Sequence, residues 1–259
     1  MPARNYTIEA LQRGLSILAL FSREKPTLSL TEIIAITGLN KSTAFRLAST
    51  LEEAGYLLRD IDTKRYRPGI KVLQLGFTAI TSLDVRQIAH PYLEQLSQQV
   101  GETVSMSVLD GMEIVYIDRV RNQQIMGVVL GLGSRLPAHC ASMGKAMLAH
   151  LPPGELDRRL EKTPLVPRTP KSLATRQALE AELEQVRQQG YALNNEEIEI
   201  GLRAVAASIC DHNNCVVAAI NITGTAARIP VERLTGELAQ AVCSTARQIS
   251  QALGYSPLD

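Results

Sequence analysis

One stretch, residues 28–67, constrains this chain more than any other: LSLTEIIAITGLNKSTAFRLASTLEEAGYLLRDIDTKRYR. Ser29 and Glu32 have the S-x-x-E spacing of a capping box, in which each side chain satisfies an orphan backbone N–H at a helix start. Leu30, Ile33 and Ile34 then recur at helical spacing and form one buried stripe. Gly38 ends that helix, because glycine enters the left-handed conformation without steric penalty. A second helix over about residues 40–54 puts Ala44, Leu47, Ala48 and Leu51 on its inner side. Lys41, Ser42, Thr43, Phe45, Arg46 and Ser49 are left facing out. This is the layout of a helix-turn-helix whose second helix enters the DNA major groove. Two short strand-like runs follow, residues 56–59 and 65–67, around the turn 60–64. They form a wing whose Arg59, Lys64, Arg65 and Arg67 suit phosphate or minor-groove contact. Two amphipathic helices around a glycine also describe a plain helical hairpin; the basic wing separates the two readings.

Charge follows the same division. Residues 1–83 hold eleven Lys and Arg against seven Asp and Glu, a net +4, and the remainder hold 16 against 19, a net −3. A basic head on a near-neutral body suits a nucleic-acid binder. The length of 259 residues is enough for two domains, each with its own core. At 45% hydrophobic and 20% charged the composition is globular. No run approaches the roughly 18 apolar residues of a membrane span, and no secretory leader is visible, so the expected location is the cytoplasm.

The elements expected beyond the helix-turn-helix are these. Residues 7–21 form an amphipathic helix with Leu11, Leu15, Leu18 and Phe21 on one stripe. Residues 70–82 form a helix linking head to body, with more apolar positions than one buried face needs. Residues 85–99 form a further amphipathic helix. Strands follow at 103–109, 113–119 and 125–130, the first two joined by Asp110-Gly111, a hairpin signal. Helices are expected at 142–149, 173–189 and 230–253, with a strand pair at 204–210 and 215–222. The organisation is a winged helix-turn-helix domain over 1–69, a linker helix over 70–83 and a second domain over 84–259, α+β with a meander-like sheet.

Cys140, Cys210, Cys215 and Cys243 do not make a disulfide framework. Cys210, His212 and Cys215 read C-x-H-x-x-C, but alternating apolar runs on both sides make this a β-hairpin turn, and a fourth metal ligand is missing. No metal or cofactor is expected. His139 and Cys140 are neighbours that point to opposite faces of an extended chain, so they do not form a dyad. No nucleophile elbow, phosphate loop or H-E-x-x-H is present, and an enzyme is not expected. Glu196, Glu197 and Glu199 read as a solvated loop or as partners of Arg203.

The segments LGLGSRLPAHCASMGKAMLAHLP (130–152), ALNNEEIEIGLRAVAASI (192–209) and AAINITG (218–224) resemble the signature of the IclR family of bacterial transcription regulators. ALQRGLSILALF, LTEIIAITGLNKSTAFRLASTLEEAGYL and PGIKVLQLG are similar to that family in the head. DGMEIVYIDRV, RLPAHCASMGKAMLA and EIGLRAVA look most like its aromatic-acid, β-ketoadipate pathway group, which often has an arginine where Lys145 stands. The resemblance implies a linker helix joining the winged head to a GAF-like effector domain. It also implies homodimers or homotetramers on near-palindromic operator DNA, and a small carboxylate that shifts DNA affinity. Carried over by motif, the effector pocket includes Val128, Leu136, Ser142, Met143, Asn194, Ala204, Asn221 and Thr223.

The residues support such a pocket on their own terms. Ser142 opens a helix whose N-terminal N–H groups suit an anion, and Gly144 permits close approach of a ligand. Arg203, His139, Asn221 and Thr223 are further candidates to meet a carboxylate. For His139 a structural role, for Arg203 a salt bridge and for Ser142 an N-cap are the competing explanations. The expected function is a DNA-binding regulator tuned by a small organic acid, aromatic in the first instance. The alternatives are a ligand-independent architectural DNA-binding protein and, behind it, an enzyme on the α+β domain.

Overall fold

The computed structural model describes residues 7–22, 25–81, 84–121, 130–152, 154–161 and 163–256. The chain forms two units, Met1–Ser82 and Leu83–Asp259.

The first unit contains α1 (Glu9–Leu18), α2 (Leu30–Thr37), α3 (Lys41–Glu53), β1 (Leu57–Arg59), β2 (Tyr66–Pro68) and α4 (Ile70–Thr81). The capping box is present: Ser29 Oγ accepts from the Glu32 amide at 3.2 Å, and the Ser29 amide donates to Glu32 Oε2 at 2.7 Å. Gly38 ends α2 at φ +69°, and Asn40 starts α3 by accepting the Thr43 amide at 2.9 Å. Ile17, Leu28, Ile33, Ala48, Leu57 and Tyr66 form the core. Leu28 also bridges to Tyr66, adding a third short edge to the wing. The helix expected over 7–21 is shorter, and its stripe divides. Leu18 and Phe21 pack on the core, whereas Leu11 and Leu15 are 61% and 56% exposed. Gly14 and Ile17 take the inner positions instead, because α1 packs closely on α3, with Gly14 over Leu47.

The second unit contains α5 (Asp84–Val100), β3 (Thr103–Asp110), β4 (Glu113–Val120), β5 (Arg135–Pro137), α6 (Ser142–Leu148), α7 (Glu155–Leu160) and α8 (Arg176–Gln189). It continues with β6 (Ala192–Asn195), β7 (Leu202–Cys210), β8 (Val216–Thr225) and α9 (Val231–Arg233). A π-helical turn over Leu234–Leu238 leads into α10 (Ala239–Ala252). The sheet order is β5-β4-β3-β8-β7-β6, with every neighbouring pair antiparallel. It is two short meanders joined edge to edge by β3 and β8. Residues paired across strands share a face. Met106, Ile220 and Ala207 therefore face α5 and α10, and Ser105, Asn221 and Ala206 face α6.

Several expectations need correction. The helix expected from 173 begins at Arg176, where Thr175 Oγ1 accepts the Ala178 amide at 3.2 Å. The closing helix is interrupted by the π turn. β5, β6 and α7 were not expected; at three, four and six residues they are too short to show a period. The strand expected at 125–130 lies outside the described residues except for Leu130, which is not in a strand.

Candidate functional site

The DNA-binding candidates lie on α3 and the wing. Lys41, Ser42, Phe45 and Arg46 are exposed, and Thr43 is half-buried. Thr43 and Arg46 also border an apolar groove of about 460 Å³ between α1 and α3, lined by Leu11, Leu15, Leu47 and Leu51. On the wing, Lys64 and Arg67 are exposed. Arg59 is exposed too, with its guanidinium 5.4 Å from the centre of the Tyr66 ring, within cation–π range. Arg65 differs from the other wing cations. Its Nε donates to Thr27 Oγ1 and its Nη2 to the Thr27 carbonyl, both at 3.1 Å, and its Nη2 lies 2.8 Å from Glu32. It ties the wing to the capping box. Glu32 is held down at about 2 by the Ser29 amide and hydroxyl and then by Arg65. Asp60 closes the wing turn by accepting the Asp62 and Thr63 amides at 3.1 and 2.7 Å, which keeps its carboxyl below the ordinary range.

The second unit holds a cavity of about 200 Å³ between the sheet and α6. Leu136, Ser142, Met143, Asn194, Ala204, Asn221 and Thr223, all expected on the pocket, line it. Val128 lies outside the described residues. Four buried side-chain polar atoms among the described residues lack a hydrogen-bond partner, and three belong to this lining: Ser142 Oγ, Asn221 Oδ1 and Arg119 Nε. Ser142 and Asn221 are only 2% and 4% exposed. The N-cap of α6 is Ala141, with no capping side chain, so the Ser142 hydroxyl is not spent as a cap. Asn221 Nδ2 donates to Thr223 Oγ1 at 3.2 Å, and its Oδ1 has no partner. Arg119 Nη1 donates to the Leu130 carbonyl at 2.9 Å. Burial lowers the Arg119 guanidinium from its ordinary value and pushes the Tyr116 hydroxyl up to about 12, so Tyr116 lines the cavity as a neutral phenol.

Three expected pocket residues have other work. Gly144 gives α6 its close approach to the backbone of Ala138: a Cβ there would stand 2.2 Å from the Ala138 carbonyl oxygen. His139 is buried and contacts the Val166 carbonyl at 3.2 Å through Nε2; burial lowers its imidazole pKa. Arg203 donates to Asn195 Oδ1 at 2.8 Å and to the Ile229 carbonyl at 2.9 Å, fastening β7 to its neighbours. None of the three lines the cavity.

Sequence reasoning missed Arg119, Tyr116 and Ser105 on the lining. It also missed Lys145, which is 1% exposed and donates from Nζ to Glu182 at 2.8 Å and to both oxygens of Glu197 at 2.8 and 3.0 Å. Burial pushes Glu197 up and Lys145 opposes that shift. Glu197 is thus neither a solvated acid nor a partner of Arg203. That partner is Glu196, at 3.7 Å from Arg203 and 2.7 Å from Lys171. The Glu197 amide donates to Asn194 Oδ1 at 2.8 Å, and its carbonyl accepts from Ser172 Oγ at 2.6 Å. Lys145 and Asn194 therefore hold the β6–β7 loop, whose Ile198, Ile200 and Gly201 wall the cavity. Cys210 and Cys215 flank the hairpin turn as expected, and no cluster of metal-ligating side chains occurs among the described residues.

The chain thus joins a helix-turn-helix with a basic wing to a sheet domain holding an apolar-walled cavity with unmet polar atoms. Residues 10–60 match the IclR helix-turn-helix domain, and residues 77–251 match the bacterial transcriptional regulator IclR C-terminal domain. The chain belongs to the IclR family. It is 36% identical to the HTH-type transcriptional regulator XynR of Escherichia coli K12, over 96% of this chain and 98% of XynR. Among solved structures it resembles the IclR of Thermotoga maritima, at 36% identity and a TM-score of 0.71, covering 95% of this chain and 98% of that one. It also resembles an IclR homolog of Microbacterium hydrocarbonoxydans complexed with 4-hydroxybenzoate, at 25% identity and a TM-score of 0.78, covering 94% and 99%. As an IclR member the chain is a DNA-binding transcriptional regulator, with an N-terminal helix-turn-helix domain and a C-terminal α/β domain. No helix among its described residues is long and apolar enough to cross a membrane.

Proposed function

We propose that this regulator binds operator DNA as a cytoplasmic homodimer or homotetramer, and that a small organic acid in the cavity of the second unit changes operator affinity. One observation carries the reading: three of the four partnerless buried polar atoms among the described residues border a single cavity. An unmet buried polar group is destabilising by about 1–3 kcal/mol, so three around one apolar-walled space favour a site that a ligand completes. At about 200 Å³ the space is below the roughly 300–1,000 Å³ of drug-sized sites, which suits a one-ring or short-chain acid. The complex of the Microbacterium homolog with 4-hydroxybenzoate favours an aromatic one. α6 is only seven residues long, so recognition of the acid is assigned to side chains and not to the helix N-terminus. For the oligomer, the exposed Leu11 and Leu15 beside the α1–α3 groove favour a second copy over a monomer.

On the DNA side, Lys41, Ser42, Thr43, Phe45 and Arg46 are assigned to the major groove, and Arg59, Lys64 and Arg67 to the backbone or minor groove. An effector shifts DNA affinity only by its differential affinity for two arrangements, typically about 1–3 kcal/mol. α4 is the covalent route by which that difference passes.

The test is a thermal-shift screen of aromatic and aliphatic acids on the full chain, followed by operator titrations. The operator fragment is selected from a randomised duplex pool. An acid at a hundred times its Kd adds about 2.7 kcal/mol of stability, and the same acid shifts operator affinity. Selected DNA binding that no acid alters would point instead to a ligand-independent architectural protein.

A further inference from the structure

The tip of the wing carries an apolar side chain in open solvent. Ile61 is 82% exposed, more than any other large hydrophobic among the described residues, and Leu58 on the same hairpin is 41% exposed. A lone exposed isoleucine is ordinary on a protein surface. This one stands out by its setting.

The turn that presents it is held from inside. Asp60 Oδ1 accepts the Asp62 amide at 3.1 Å, the Thr63 amide at 2.7 Å and the Thr63 hydroxyl at 2.8 Å. The Asp60 amide donates to the Arg65 carbonyl at 2.9 Å, and the Lys64 amide to the Asp60 carbonyl at 3.0 Å. Lys64 completes the turn in the left-handed region, at φ +57°. Ile61 is β-branched, so its side chain has few rotamers to lose when it is inserted into a partner.

The surroundings of the tip are basic. Arg59, Lys64 and Arg67 are exposed. Asp60 spends its carboxylate inside the turn, which leaves Asp62 to be set against those three cations. Cations on the strands and an apolar tip match the DNA minor groove. Basic side chains there meet phosphates, while an apolar wedge enters between two base pairs, partly unstacks them and kinks the duplex. A wing that met phosphates alone would gain nothing from an isoleucine at its tip.

We propose that Ile61 is a minor-groove wedge, which bends the operator and favours a flexible pyrimidine–purine step beneath the tip. The inference rests on the assignment of the wing to DNA. It goes beyond that reading by naming a residue that selects sequence through the deformability of the duplex.

The experiment uses the full chain and the operator selected from the randomised pool, with a fluorophore at each end so that energy transfer reports the bend. Binding is titrated at several salt concentrations. The wild-type complex should be bent by about 20–90°. Ile61→Ala should weaken operator binding about tenfold and reduce the bend. Its salt slope and its affinity for unselected DNA should not change, because no phosphate contact is lost. Ile61→Leu should keep most of the affinity and the bend. Lys64→Ala should do the reverse of Ile61→Ala, lowering the salt slope and keeping the bend. Ile61 lies outside the core, so these variants fold, and thermal unfolding checks it. Equal affinity and bend in Ile61→Ala would overturn the proposal, as would a straight duplex in the wild-type complex. So would a change of oligomeric state in Ile61→Ala, which would assign the side chain to a contact between copies of the chain. A silent Ile61→Ala with a lowered slope in Lys64→Ala removes the wedge alone. Silence in both variants removes the wing reading as well.

Discussion

The two units use their polar side chains in opposite ways. In the first, Lys41, Ser42, Arg46, Lys64 and Arg67 stand in solvent, and the core beneath them is made of other residues. In the second, Ser142, Lys145, Asn194, Glu197 and Asn221 are buried within the packing that forms the fold. Recognition and stability are therefore separable in the head and coupled in the body. Removal of one of these exposed head cations should cost a DNA contact and little else; Arg65, bonded to Thr27 and Glu32, is the exception. A polar group removed from the body leaves a buried partner unmet.

The strongest test of that contrast is Lys145. Lys145→Met leaves the buried Glu197 carboxylate without its cation, so unfolding free energy should fall by about 3–5 kcal/mol in chemical denaturation. Adding Glu197→Gln should restore part of the loss, since the uncompensated charge is what destabilises. An unchanged midpoint in the single variant would break the comparison.

Gly144→Ala comes next. Its methyl group would overlap the Ala138 carbonyl, so the backbone must yield, at about 1–3 kcal/mol of stability measured by thermal unfolding. Normal stability there would mean that Gly144 serves the ligand after all.

In the head, Arg46→Ala should weaken selected-operator binding by about 1–3 kcal/mol while stability stays within about 0.5 kcal/mol. A comparable loss of stability would show that the α1–α3 groove, not DNA, is its partner. Lys64→Ala and Arg65→Ala sharpen the point within one hairpin. Lys64→Ala should lower the salt slope of DNA binding by about one and leave the fold unchanged. Arg65→Ala should instead lower the melting temperature of the head, because it loses Thr27 and Glu32.

The smallest effect concerns Glu32. Its carboxyl lies at about 2 in the folded state against an ordinary 4.5. The associated stability is fully present above about pH 4.5 and drains away as pH falls toward 2. NMR titration of Glu32 in the full chain reads this directly, and a midpoint near 4.5 would mean that the capping box is open in solution.

The difference between the units also explains what could be read in the sequence. Capping and helical spacing are local, so Ser29, Glu32, Gly38 and the inner positions Ala44 and Ala48 identify the head without any tertiary information. The cavity is assembled from four segments far apart in sequence, and only motif resemblance brought Ser142, Asn194, Ala204 and Asn221 together in advance. Resemblance marked Lys145 only as a departure from an arginine and did not foresee its burial, because a buried ammonium is stable only with carboxylates that α8 and the β6–β7 loop deliver.

Arg119 marks the boundary most sharply. Strict alternation along β4 would place it on the face opposite Ile114 and Tyr116. A bulge intervenes: the register passes from Ser107 against Tyr116 to Met106 against Asp118, so Ile117 has no partner. Ile117 packs into the α5 core and Asp118 accepts from the same helix, with His90 Nδ1 at 2.7 Å, so two consecutive residues share one face. Arg119 then turns to the cavity beside Tyr116, as bulges re-aim side chains. The sequence alone determined the winged head, the alternating strands and the helix that opens at Ser142, because short-range periodicity and capping decide them. Tertiary structure alone decided which cation reaches the cavity and which polar atoms stay unmet there, because strand register and burial belong to residues brought together only by folding.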